Sequence, residues 1–122
     1  MAQILLHLWV EAQRPVQSPG DSRTLAVITL VREDPGRYWS VSALAKLAGL
    51  SRSQFSRHLT TTIGLSPEQF LIQTRIDRAK HLLRETDMTI GQIADALGYR
   101  DAYYFSRQFA RMAGMTASAF RD

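Results

Sequence analysis

The chain has no cysteine. That removes thiolate zinc ligands, dithiol redox motifs and any disulfide framework at once, and it fits a protein of the reducing cytoplasm. Long apolar runs are also missing. The longest near the start, Ile4-Leu5-Leu6-His7-Leu8-Trp9-Val10, is too short to span a bilayer. No basic segment precedes it and no clear small-residue cleavage site follows, which argues against a secretory signal. His7, His58 and His81 stand at no ligand spacing, so neither a metal nor a cofactor is expected. Serines, histidines and aspartates are present, but no strand-loop context places a nucleophile, and no catalytic residue is assigned. No segment alternates with period two for long enough to argue a strand. The expected fold class is all-α.

What remains is an ordinary apolar content of 45% in 122 residues, enough for one domain or two very small ones sharing packed surface. Net charge is +4 with an isoelectric point near 10.0. The excess is uneven: residues 1–40 hold four Arg against four acids, whereas 41–122 hold eleven Lys and Arg against seven acids. A positive balance confined to one region favours a polyanionic partner.

Glycine, proline and capping residues divide the chain into elements. Ile4, Leu5, Leu8 and Trp9 recur at helical spacing, and Arg14-Pro15-Val16-Gln17-Ser18-Pro19-Gly20 then reads as a linker. Residues 1–20 are thus an apolar helix plus a Pro/Gly linker, and 21–122 the main domain. Its first helix should start after Asp21 or Ser22 and run to about Asp34, burying Leu25, Ile28 and Val31. Ser40 caps a helix over 41–48, with Trp39 stapling the preceding helix to the bundle. Ser51-Arg52-Ser53-Gln54 is a capping box opening a helix to about Thr62, and Ser66-Pro67-Glu68-Gln69 opens a long one over 67–85. On that helix Ile72, Ile76, Ala79 and Leu83 share a face, with Arg75, Arg78 and Arg84 elsewhere. Thr89-Ile90-Gly91-Gln92 starts a helix to Leu97, another runs from about Asp101 to Ala113, and Thr116 caps a last short one.

Two of these stretches repeat each other. Phe55-Ser56-Arg57-His58-Leu59 returns as Phe105-Ser106-Arg107-Gln108-Phe109, an offset of fifty. Leu44, Ala45 and Gly49 return as Ile93, Ala94 and Gly98 at forty-nine, and Gly64, Ser66 and Phe70 as Gly114, Thr116 and Phe120. One supersecondary unit is used twice. Each copy reads as helix, Gly-containing turn, helix, so two helix-turn-helix units (41–62 and 90–113) are joined by the long linker helix. At 100° per residue, Phe55 and Leu59 point to the core and Ser53, Ser56, Arg57 and Thr60 point away. The second stripe is Tyr103, Ser106, Arg107 and Ala110, with Phe105 and Phe109 buried.

That division suits a helix laid in a DNA major groove. Arg57 and Arg107 can each bond guanine O6 and N7. Gln54 can read adenine, although its capping role competes for the same amide. Arg52, Arg100 and Arg111, at helix edges, suit phosphate, as does Thr60. Of Tyr103 and Tyr104, one meets phosphate or a thymine methyl and the other packs. A linker of about 19 residues is roughly 28 Å long, against about 34 Å between major-groove entries on one DNA face. One monomer could therefore read an asymmetric two-box site.

Residues 40–121 resemble the DNA-binding domain of the AraC/XylS family of bacterial transcription regulators. The resemblance is carried most specifically by Ala79, Leu82-Leu83, Ile90, Ile93-Ala94, Gly98-Tyr99, Tyr104-Phe105-Ser106-Arg107, Phe109, Gly114 and Phe120-Arg121. It implies about seven helices, sequence-specific duplex binding at promoters, and an activator that contacts RNA polymerase. By position, the base-facing residues it implies are Ser53, Ser56 and Arg57, then Ala102, Tyr103, Ser106 and Arg107. Ala117 stands where the family usually has proline, which should loosen the start of the last helix slightly. Ala110 stands where a basic residue is common. The family includes a DNA-repair branch whose chemistry needs cysteines, which this chain lacks.

Many family members carry an effector-binding and dimerisation domain ahead of this module. Two readings stand: a stand-alone monomeric regulator, or the C-terminal piece of a longer, dimeric one. The apolar stripe over residues 4–9, as a remnant of a sensor domain, favours the second; its plainer explanation is a helix folded back on the bundle. The alternative function is a helical protein-interaction module without specific DNA binding.

Overall fold

The computed structural model describes residues 19–37 and 39–122. Every regular element among them is a helix: α1 (Pro19–Glu33), α2 (Val41–Leu47), α3 (Arg52–Ile63), α4 (Pro67–Glu85), α5 (Ile90–Ala96), α6 (Ala102–Ala113) and α7 (Ala117–Arg121). The all-α expectation holds, and no described helix is long and apolar enough to cross a membrane. The expected apolar helix over 4–9 and the linker residues 14–18 lie outside the described residues.

One boundary is corrected. Pro19 and Gly20 form the first turn of α1 rather than a linker, so the helix starts before Asp21. Proline at the first helical position forfeits an N–H that has no intrahelical partner anyway. The buried stripe of α1 is also turned from the expected one. Thr24, Val27, Ile28 and Val31 are buried at helical spacing, and Leu25 is only half-buried. Thr24 hid the pattern, because a hydroxyl residue does not count as apolar in the sequence.

The other starts follow local chemistry. Ser51, Ser66 and Thr89 each accept the N–H of the glutamine three residues on, while that glutamine accepts the N–H of the cap in return. Ser40, Asp101 and Thr116 cap with the side chain alone. Each such cap is worth about 1 kcal/mol, which matters most for helices of seven residues or fewer.

Two cores form, one per unit. The first gathers α1, Trp39, α2 and α3 around Phe70 and Leu71 at the start of α4. The second gathers α5, α6 and α7 around Ile76, Ala79 and Leu83 further along the same helix. Trp39 acts as the expected staple: it is buried, and its Nε1–H donates to the Asp34 carbonyl at 3.0 Å, just beyond α1. His58 Nδ1 meets Asp21 Oδ1 at 2.5 Å, fastening α3 to the first turn of α1.

At the far end, Arg121 closes α4. Its Nε donates to the Leu83 carbonyl at 3.0 Å and its guanidinium NH2 to the Thr86 carbonyl at 3.2 Å. Helix ends leave such carbonyls without intrahelical donors. Arg84 lies 4.3 Å over the ring of the neighbouring Phe120. Arg121→Ala should therefore cost about 1–2 kcal/mol, read as a lower urea midpoint. An unchanged midpoint would mean that water replaces the guanidinium at no cost.

Candidate nucleic-acid interface

The repeat is exact in the second helices and broken in the turns. α3 and α6 are each 12 residues long, offset by fifty, and both end on a left-handed glycine, Gly64 (φ 75°) and Gly114 (φ 77°). The first helices, α2 and α5, are each 7 residues long and offset by forty-nine. Both turns bend at glycine, Gly49 (φ 70°) and Gly98 (φ 80°). Equivalent bonds then follow, Leu50 N–H to the Ala45 carbonyl and Tyr99 N–H to the Ala94 carbonyl, each 2.9 Å. The extra residue of the second turn is consequently Arg100, pushed outward with 86% of its side chain exposed.

Burial fixes how each helix is turned. Phe55, Leu59, Phe105 and Phe109 are fully buried, and burying each is worth about 1.5–3 kcal/mol. They are core residues and not stacking platforms. On the outer side of α3, Ser53, Arg57 and Thr60 are exposed and Ser56 is half-buried. On α6, Tyr103, Tyr104, Arg107 and Arg111 are exposed, and Ala102, Ser106 and Ala110 are half-buried. Tyr103 is 71% exposed, and the Arg107 guanidinium lies over its ring at 5.6 Å. An exposed cation–π contact of this kind is worth about 0.5–1 kcal/mol, enough to bias the Arg107 rotamer. Ser53 occupies the equivalent place beside Arg57. Tyr104 instead leans on Tyr99, with ring centroids 6.1 Å apart.

Two expected contact residues have other employment. The Gln54 side-chain oxygen accepts the Ser51 N–H at 3.0 Å. A bidentate adenine contact needs that same oxygen, so capping and base reading compete for it. The Thr60 hydroxyl donates to the Leu65 carbonyl at 3.2 Å and has no second proton for a phosphate.

A groove between the units adds a residue that sequence reasoning passed over. Arg52, Glu68, Ile72 and Arg75 line one part of it, and Ile72, Arg75, Arg100 and Tyr104 the next. Arg75 belongs to both parts, midway along α4, and sits 5.9 Å over the Tyr99 ring. The available signal was its spacing from Ile72, one turn earlier on the side facing both units. Tyr99 donates its hydroxyl proton to the Gln108 side-chain oxygen. Its pKa is pushed up to about 12, by burial first, with Arg75 pulling it down and Tyr104 pushing it up.

Comparison with known proteins places this architecture. A family model described as a helix-turn-helix domain matches residues 44–122. An AraC-like transcription regulator of Streptomyces lividans is 34% identical over 101 residues, 83% of this chain and 33% of that protein. The chain belongs to the AraC-type helix-turn-helix regulators. The Escherichia coli RCS-specific HTH-type transcriptional activator RclR is 30% identical over 80% of this chain and 34% of its own length. This chain thus spans about a third of the length of these curated relatives. Among solved structures, the DNA-binding domain of AdpA in complex with a target DNA superposes with a TM-score of 0.77 at 28% identity, covering 80% of this chain and 88% of that one. An AraC-type regulator from Chromobacterium violaceum gives a TM-score of 0.76 at 25% identity, covering 82% and 89%.

AraC-type modules are DNA-binding regulators and not enzymes. Ala117 is buried at the first position of α7 beneath the Thr116 cap. Ala110 leaves the outer stripe of α6 without a cation at that position.

The buried Tyr99 hydroxyl makes stability sensitive to alkali. Its folded pKa lies above the usual tyrosine value of about 10, so the stabilisation is complete below that value and is lost as pH rises toward about 12. Tyr99→Phe should lower the melting temperature at neutral pH, because Gln108 loses its donor, and should flatten the decline between about pH 10 and 12. Parallel curves for the two proteins would show that other groups dominate the alkaline loss.

Proposed function

We propose that this module binds duplex DNA sequence-specifically by laying α3 and α6 in successive major grooves on one face, and that it activates transcription from the bound site. The observation that carries the reading is the paired helices themselves: equal length, matching left-handed glycines at their ends, apolar sides locked in separate cores, and polar stripes left outside. In the first box Arg57 reads guanine, with Ser53 and Ser56 beside it. In the second, Arg107 reads guanine from a rotamer held by Tyr103, and Ser106 and Ala102 contact the neighbouring base edges. Because the two stripes differ, the site is a pair of unlike boxes, and the second relies more on DNA shape.

Phosphates are taken by Arg52, Arg100, Tyr104 and Arg111, and by Arg75 in the groove between the readers. These contacts supply affinity and salt dependence without sequence information. Activation is supported by the activator named among the relatives, with RNA polymerase as the partner at the promoter. The protein acts in the cytoplasm, and a single chain reaches both boxes.

The test begins with selection from a random duplex library about three helical turns long, followed by variants on the selected site. Arg57→Ala and Arg107→Ala should each cost about 1–3 kcal/mol and relax preference at one base pair, in different boxes. Arg111→Ala and Arg75→Ala should weaken every sequence alike and make the salt dependence less steep. If all four variants lower every sequence equally, direct readout by the two arginines is wrong. Weak, salt-flat binding with no enrichment would sink the DNA reading altogether.

A further inference from the structure

The two cores do not merge, so the angle between the readers rests on whatever joins the units. Helix α4 is one connection. The turn after α1 makes a second. Asp34-Pro35-Gly36-Arg37 is closed by the Arg37 N–H donating to the Asp34 carbonyl at 3.3 Å, and the same carbonyl accepts Trp39 Nε1–H at 3.0 Å. Arg37 covers the Trp39 ring at 4.7 Å. With Trp39 buried in the first core, the turn moves as part of the first unit.

Its tip touches the second unit, backbone to backbone. A Cβ on Gly36 would stand 2.6 Å from the Ala96 carbonyl oxygen, at the end of α5. The Gly36 carbonyl oxygen in turn lies 3.4 Å from where a Cβ on Gly98 would be. Gly98 is the bend of the second helix-turn-helix, and its N–H donates to the Asp95 carbonyl at 3.1 Å. Neither side can yield as a flexible side chain would, because the atoms that face each other belong to the main chain.

We propose that the Gly36–Ala96 contact is a strut that sets the separation and angle of α3 and α6, and so sets the box spacing that the protein accepts. The proposal rests on the two-groove reading. Two linked readers gain affinity from each other only when the geometry lets both engage at once. A strut that holds them in one arrangement converts that condition into spacing specificity. Gly36 is a positioning residue and needs no contact with DNA.

The experiment measures binding of the whole chain to the selected two-box duplex, to versions with the spacer changed by one or two base pairs, and to each box alone. Gly36→Ala and Gly36→Val are compared with wild type. Gly91→Ala serves as the control, since a Cβ there meets nothing nearer than Thr89 Oγ1 at 3.9 Å. The wild type and Gly91→Ala should show one preferred spacing. The Gly36 variants should bind that duplex at least about ten-fold more weakly, with the optimum moved or flattened and single-box affinity unchanged. Trp39→Phe, which removes the donor to Asp34 without adding volume, should flatten the same profile and decides the matter if the Gly36 variants do not fold. A folded Gly36→Val with the wild-type spacing profile overturns the strut, as does an unchanged profile in Trp39→Phe. A wild type indifferent to spacing removes the two-groove reading and the strut with it.

Discussion

Each half of α4 is buried in a different core, and the arrangement of the whole molecule depends on that shared burial. Phe70 and Leu71 complete the first core and Ile76, Ala79 and Leu83 the second. Neither group of short helices could close without it, since α2 and α5 are only 7 residues each and isolated helices of that length do not persist in water. The helix is therefore scaffold and ruler together. Its Ser66–Gln69 capping box and the Arg121 donors secure its two ends, so the rigid length extends over all 19 residues.

The two readers are copies that have diverged where DNA would feel it. Ser51 caps the first and Asp101 the second, which places a carboxylate at the start of α6 where α3 has a hydroxyl. Arg100 is inserted just before that carboxylate and lies 3.9 Å from it, an exposed pair of little energetic weight. Arg57 has a serine one turn earlier, whereas Arg107 has the Tyr103 ring. A common framework with unlike surfaces is what an asymmetric site requires.

Most of the fold could be read from the sequence because its signals are local. Serine or threonine three residues ahead of glutamine marked three helix starts, and glycine marked the turns. The α1 start was misread because Pro19-Gly20 has two meanings, breaking a helix inside and opening one at its edge. Contacts between distant segments were not legible. Nothing near Gly36 announces Ala96, sixty residues away, and Arg121 gives no sign that it caps α4. The stripes of α3 and α6 were legible from periodicity, but the local bonds of Gln54 and Thr60 were only partly so. Their hydrogen bonds to nearby backbone compete with any outward contact, and the choice between the two needs coordinates.

The central claim is that one chain presents two recognition helices to one face of a duplex. Hydroxyl-radical footprinting of the protein on its selected site tests this most directly. Two protected patches are expected on the same face, centred about 34 Å apart, with the intervening backbone also shielded where Arg75 lies. A single patch, or two on opposite faces of the helix, would contradict it.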